Sequence, residues 1–411
     1  MHILSPEEET NRRIEALVKS RFNKPAKVIK RYPMQYMFYQ SRTGSTAHTD
    51  VSRLTLGLPN NNNTLVDVVQ KGTFNDLENI VRETSALTLF SSALDETNKK
   101  HIPYYYGRVD NYIIKEFIFG ESLDSILSLI QERTKLHRQA LQQSEQDETK
   151  QQITKKLSFL ETNYRNYLDA AFNLATLLHS SSQDYLLRNP TAHWLQLKPD
   201  NVVNDLRKYL SNLISSDSTE EPKEIDEICN LFSLMPVPYE MCYSTNMPSL
   251  IVGDFRQANV LVSQSSEDRN EFMERLESEI INPEEIFQYT RITDFDRSHI
   301  ANQNIDIVDI LENPNLVVYD NQNLFDSLLE SLVSYRRSRK RSTIEIGDIK
   351  RDLLNFAPIR LIRGASSSKE NRTSYLQIAL NLMERQQGYQ EIRKKLGKLL
   401  TKSYPNIQIN L

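Results

Sequence analysis

The sequence predicts an α+β chain in two lobes, a small antiparallel sheet followed by a larger, mainly helical part. Three observations carry that expectation. At 411 residues the chain exceeds the roughly 100 to 200 residues of an ordinary domain. Short β-prone runs separated by turn residues crowd the stretch from Ala26 to Phe119. Beyond Gly120 apolar residues recur mainly at helical spacing. The expected organisation is an N-terminal helix over 1–25, the sheet lobe over 26–119 and the helical lobe over 120–411.

Ser5, Pro6 and Glu8 supply a cap hydroxyl, a proline at the first helical position and a reciprocal carboxylate, so a helix is expected from there to about Phe22. Four β-prone runs follow, at Lys27 to Tyr32, Met37 to Gln40, Leu54 to Leu58 and Leu65 to Lys71. The asparagines Asn60 to Asn63 read as an exposed hairpin loop. A helix is expected from Phe74 to Ala93, and the runs Tyr104 to Val109 and Tyr112 to Phe119 complete the sheet lobe. Leu123, Ile126, Leu127 and Ile130 open a helix that leads into a polar, glutamine-rich stretch over 131–155, read as a protruding helical hairpin. Leu160, Tyr164, Leu168, Ala171, Leu174, Ala175 and Leu178 mark an amphipathic helix ending at His179 and three serines. Within the helical half, Leu250 to Val252, Val260 to Val262 and Arg291 to Thr293 read as small hairpin strands presenting polar residues. A serine-rich break is expected at Ala365 to Lys369.

Composition narrows the function classes. Hydrophobic residues make up 39% of the chain, enough for a buried core, yet no stretch approaches the roughly 20 apolar residues of a membrane span. A net charge of −4 gives no overall attraction to nucleic acid or anionic membrane. The basic run Arg336, Arg337, Arg339, Lys340 and Arg341 reads as a solvated helix end. Glu7, Glu8 and Glu9 stand where a secretory signal has its apolar core, so the cytoplasm is the expected compartment. Cys229 and Cys242 are too few for a zinc site and too far apart for a redox pair.

The segment Ile251-Val-Gly-Asp-Phe-Arg-Gln-Ala-Asn-Val-Leu-Val262 carries the chemistry, with Asp254 and Asn259 framed by two apolar strands. Phosphoryl transfer needs a carboxylate to receive or orient the attacking hydroxyl and an oxygen ligand for magnesium, and these two residues match those needs. Arg291-Ile-Thr-Asp-Phe-Asp296 follows, placing Asp294 to hold the metal against the phosphates. In Leu65-Val-Asp-Val-Val-Gln-Lys71, strand alternation puts Val69 and Lys71 on one face, a purine roof beside a phosphate-binding ammonium. Glu83 is spaced to hold Lys71 in an ion pair. Asp296 and His179 are more ordinary: the one reads equally as a surface carboxylate, the other as a packed or capping side chain.

These residues resemble the catalytic segments of aminoglycoside phosphotransferases and their relatives, including choline and fructosamine kinases. The loop from Gly253 to Asn259 looks like their HGDxxxxN motif, and Ile292 to Phe295 like the metal-binding strand after it. The likeness covers roughly Ala26 to Phe325 and implies a protein kinase-like fold. It further implies that Tyr112 to Leu123 forms the hinge, with adenine facing backbone near Glu116 to Ile118. Expected in consequence are catalytic Asp254, metal ligands Asn259 and Asp294, and nucleotide-binding Lys71, Glu83, Val69, Glu116 and Ile118. The cofactors are then ATP, or alternatively GTP, with magnesium, and the phosphoryl acceptor is a small-molecule hydroxyl. Two departures stand out: Val252 replaces the motif's histidine, removing a hydrogen bond that steadies the loop, and no glycine-rich phosphate loop is visible.

Those departures keep other readings open, a pseudokinase or regulatory module using 131–155 as a partner surface, or an atypical protein kinase or secreted effector. The segment Gln196-Leu-Lys-Pro-Asp-Asn-Val202 imitates a protein-kinase loop but has Gln196 where that loop needs its aspartate.

Overall fold

The computed structural model describes residues 5–34, 49–58, 64–73, 77–189, 201–214, 221–242, 249–263, 269–312, 318–319, 321–339 and 345–407. The expected strand over 37–40, the asparagine loop over 60–63, Lys340, Arg341 and most of the imitation loop, Gln196 and Lys198 included, lie outside the described residues.

Helix α1, Pro6–Phe22, starts with the expected capping box: Ser5 Oγ accepts from the Glu8 amide at 3.2 Å, and the Glu8 carboxylate accepts from the Ser5 amide at 2.7 Å. The sheet comprises β1 (Lys27–Pro33), β2 (Thr49–Leu58) and β3 (Thr64–Thr73). After helix α2 (Leu77–Ala93) come β4 (Tyr105–Val109) and β5 (Tyr112–Glu116). Its order is β1-β2-β3-β5-β4, antiparallel throughout. Alternation along β2 buries Leu54, Leu56 and Leu58, which pack with Val68, Ile114 and the α1 residues Ile14 and Val18. That assigns one face of the sheet to its own small core and leaves Val69 and Lys71 on the opposite face.

The mainly helical part begins with β6 (Glu121–Ser122) and a hairpin of two long helices, α3 (Leu123–Gln143) and α4 (Asp147–Arg188). The polar stretch over 131–155 lies in this hairpin; its base is tied down where Lys156 and His137 both pair with Glu277. Helix α4 does not end at His179 but continues through the three serines. Ser180 and Ser182 donate their hydroxyls to the Leu177 and His179 carbonyls, so these side chains are satisfied within the helix. Buried on nearly every side from Asn163 to His179, α4 forms the axis of the larger core.

Helices α5 (Val202–Leu213), α6 (Glu221–Ser233) and α7 (Val237–Cys242) lead to β7 (Ser249–Ile251) and β8 (Val260–Val262). Next come α8 (Arg269–Ser278), α9 (Pro283–Tyr289), β9 (Thr290–Ile292) and β10 (His299–Ala301). Helices α10 (Asn304–Leu311), α11 (Gln322–Ser338), α12 (Ile346–Ser367), α13 (Arg372–Glu384) and α14 (Gln390–Ser403) complete the chain. The short strands do not form hairpins with their sequence neighbours in every case. β7 pairs with β10, whereas β8 lies between β6 and β9, so the Asp254 loop bridges two separate small sheets.

Two further expectations change. Helix α12 runs on to Ser367, three residues into the serine-rich break. Arg336 is buried rather than solvated, and Arg339 donates to Asn173, because α11 packs this end against α4. No helix among the described residues is long and apolar enough to cross a membrane.

Candidate active site

Between the sheet and the helical part lies a cleft of about 590 Å³, within the range of roughly 300 to 1,000 Å³ typical of small-molecule sites. Val69, Lys71, Glu116, Ile118, Asp254, Asn259 and Asp294 all border it. Glu83 stands behind, almost fully buried on α2.

Lys71 is the hub of the upper wall. Its Nζ lies 2.6 Å from Asp294 Oδ1, 3.2 Å from Asp296 Oδ2 and 3.0 Å from Glu83 Oε2. Burial alone would lower the affinity of this amine for its proton; the three carboxylates reverse that and hold it charged, well above its ordinary value. Asp294 is held below the usual carboxylate range, since Lys71 and Lys115 outweigh its burial. Asp296, partly buried and repelled by Asp294, is pushed up to about 6. Its contact with Lys71 ties Asp296 to the upper wall, where an unpaired surface carboxylate was the equal expectation.

Lys115 is a second buried ammonium that the sequence analysis missed. Opposite Val69 in the β3–β5 register, it shares the cleft face. Its Nζ donates to Glu83 Oε1 and, at 2.6 Å, to the Thr293 carbonyl. Glu83 thus serves two lysines, and Lys115 ties α2 to the segment that carries Asp294. The Glu116 carboxylate makes a two-pronged pair with Arg291, at 2.9 and 2.7 Å, so its side chain is engaged away from any purine.

On the lower wall, the catalytic-loop candidate is fixed from below. Asp306, fully buried on α10, accepts from the amides of Val252 at 2.8 Å and Gly253 at 2.9 Å, while His179 Nε2 lies 2.8 Å from the same carboxylate. The loop therefore has an anchor despite Val252, and His179 acts within that anchor. Gly253 has φ +75°, and a Cβ there would stand 2.2 Å from the Arg297 carbonyl oxygen, so the turn requires glycine. Arg360 and Arg363 donate to the Gly253 carbonyl at 2.9 and 3.1 Å.

Asp254 is heavily engaged. Arg256 Nε lies 2.7 Å from Oδ1 and its Nη2 donates to Oδ2 at 2.9 Å. Arg363 Nη2 donates to Oδ1, and Asn259 Nδ2 donates to Oδ2 at 3.2 Å. Burial opposes ionisation, but Arg256 and Arg363 hold the carboxyl far below its ordinary value. Asn259 also donates to the Asp254 carbonyl at 2.9 Å, and its own carbonyl accepts from the Thr293 amide and hydroxyl at 3.1 Å. The backbone of the metal-strand candidate is thereby locked to the loop.

With Nδ2 of Asn259 used internally, its Oδ1 and the Asp294 carboxylate are oxygens on the cleft that could hold a divalent ion. Magnesium is commonly held by one or two protein oxygens together with substrate phosphates and water, and this donor set fits that pattern. Among the described residues no cluster of three or more His, Cys, Asp or Glu forms a self-sufficient metal cage.

The residues that sequence reasoning missed left some trace. Asp306 and Asp309 interrupt the aliphatic run Ile305 to Leu311, and charges inside such a run are buried only when partnered. Arg360 and Arg363, both on α12, and Glu312, just past the end of α10, carry no local pattern.

No protein-family model matches the sequence, and no curated protein matches it. Among solved structures, the chain is similar to the GDP complex of aminoglycoside 2'-phosphotransferase-IIIa, at 13% identity and a TM-score of 0.41, covering 96% of this chain and 99% of that one. It is also similar to a choline kinase from Cryptosporidium parvum Iowa II, at 12% identity and a TM-score of 0.42, covering 94% and 96%. A macrolide 2'-phosphotransferase from Brachybacterium faecium gives 10% identity and a TM-score of 0.39, covering 89% and 96%.

Proposed function

We propose that this protein transfers the terminal phosphoryl group of ATP, or alternatively GTP, to a hydroxyl of a small molecule. The observation that supports this reading best is convergence: Lys71 from the sheet meets Asp294 from the helical part at 2.6 Å, beside Asp254 and Asn259. In this reading Val69 roofs the base, and the backbone from Glu116 to Ile118 borders its edge. Lys71, steadied by Glu83, binds the α- and β-phosphates. Asn259 and Asp294 hold magnesium, which supplies charge neutralisation at the phosphates.

Asp254 orients the acceptor hydroxyl and takes its proton as the new O–P bond forms. The bond from the transferred phosphorus to the bridging oxygen breaks, and the nucleoside diphosphate leaves with that electron pair. Positioning and electrostatics carry most of such catalysis.

The test is transfer of labelled terminal phosphate to a panel of small hydroxyl compounds by the wild type and by Asp254→Asn. Transfer by the wild type, reduced roughly a hundredfold or more in the variant, supports the reading. The capping of Asp254 by two arginines favours a second reading, a nucleotide-binding module without turnover. Nucleotide binding with no transfer to any acceptor would select it.

A further inference from the structure

The charges behind Asp254 are balanced in number and unbalanced in distribution. Three carboxylates, Asp254, Asp309 and Glu312, stand with three guanidinium groups, Arg256, Arg360 and Arg363. Arg360 takes Asp309 in a two-pronged pair, and Arg363 Nη1 stands 3.7 Å from the same carboxylate. Arg256 and Arg363 both take Asp254. Glu312 takes none: it is 3% exposed, and neither of its carboxylate oxygens has a hydrogen-bond partner. A buried carboxylate without a partner is costly and calls for an explanation.

The same asymmetry obstructs Asp254. An ionised carboxylate offers about four acceptor sites; here Arg363, Arg256 Nη2 and Asn259 fill three by hydrogen bonds, and Arg256 Nε stands 2.7 Å from Oδ1. An acceptor hydroxyl therefore meets a crowded carboxylate, and the departure of one partner would widen its access. Of the two arginines, Arg363 holds one oxygen of Asp254 where Arg256 lies against both, and its other nitrogen is on the Gly253 carbonyl.

Glu312 lies close to it. A Cβ on Gly364, the residue after Arg363, would meet Glu312 Oε1, so this carboxylate rests on the α12 backbone one residue along from Arg363. Asp254 and Glu312 border the same cleft. Burial pushes the Glu312 carboxyl well up, with Arg363 foremost among the groups that oppose the rise.

We propose that Glu312 is the second resting place of Arg363: as nucleotide and hydroxyl fill the cleft, Arg363 leaves Asp254 for Glu312 and opens Asp254 to the acceptor. The move gives Glu312, the carboxylate without a hydrogen-bond partner, a guanidinium of its own while Arg256 stays on Asp254 and Arg360 on Asp309. Glu312 is then a positioning residue, acting through Arg363. This inference rests on the reading of Asp254 as the group that receives the hydroxyl.

The experiment is a double-mutant cycle on nucleotide hydrolysis, with water as the hydroxyl, in wild type, Glu312→Gln, Arg363→Met and the double variant. Each variant's magnesium–nucleotide affinity and thermal melt are measured alongside. Glu312→Gln is expected to lower turnover about tenfold in the wild-type background and by less than about twofold once Arg363 is gone. Equal loss in both backgrounds, the result for a Glu312 that contacts the acceptor directly, overturns the proposal, and so does no loss in either.

A second measurement follows the Arg363 Nε–Hε resonance, assigned through Arg363→Met, in the complex with magnesium and a non-hydrolysable ATP analogue, with glycerol as the hydroxyl probe. The resonance is expected to shift in wild type and to stay in Glu312→Gln; an unmoved wild-type resonance overturns the proposal whatever the turnover. Arg363 moving while no variant releases phosphate would instead count against phosphoryl transfer, leaving the handover intact.

Discussion

Asp306 shows how much one side chain can settle. Its carboxylate receives two consecutive amides of the loop before Asp254 and meets His179 from the central helix, so three elements depend on one buried group. Asp306→Ala strands two amides and an imidazole, and is expected to lower stability by about 3 kcal/mol in denaturant unfolding. A loss below about 1 kcal/mol would mean that the arginines on the Gly253 carbonyl hold the loop by themselves. At this scale the sequence is legible where function clusters locally. Asp254, Asn259 and Asp294 sit in short segments flanked by apolar strands, and such a pattern can be read. Lys115 and Glu312 cannot be read in the same way. Each looks like an ordinary charged residue until the fold brings Glu83 to the first and the backbone of Gly364 to the second.

Among the elements, the segment after α2 links the sheet to the helical part through His101. Its ring lies 2.7 Å, through Nδ1, from the Thr290 carbonyl at the start of β9 and stacks on Phe287 of α9 at 4.4 Å. Burial lowers its pKa from 6.5 to about 4. The ring stays neutral in the fold, while the unfolded chain takes up a proton below about pH 6.5. The stability it contributes is complete above that pH and is lost as pH falls toward about 4. Melting temperatures across that window should fall more steeply in wild type than in His101→Gln, and parallel curves would show that the ring titrates normally. Element ends were harder to read than element types. Strands β7 and β8 were visible as apolar runs, but their partners β10 and β6 are set by long-range packing. The serines of α4 read as a helix end because serine favours caps; inside the buried helix the Ser180 and Ser182 hydroxyls bond to the preceding turn instead.

Taken whole, the molecule joins a sheet with its own small core to a helical body through charged contacts around the cleft: Lys71 to Asp294, Lys115 to the Thr293 carbonyl and Arg291 to Glu116. The two-part architecture was legible because the hydrophobic period changes near Gly120. The arrangement of charge across the cleft was not, since it pairs residues as far apart as 71 and 294. Lys71 now rests on Asp294 and Asp296, where a nucleotide and a divalent ion would compete for the same groups. Nucleotide binding should therefore depend on magnesium and on Asp294. Calorimetric titration with ATP and GTP, with and without magnesium, on wild type and Asp294→Ala tests this most directly. Magnesium-dependent binding by the wild type that is lost in Asp294→Ala is the expected result; binding indifferent to magnesium, or no binding of either nucleotide, would contradict the proposed function.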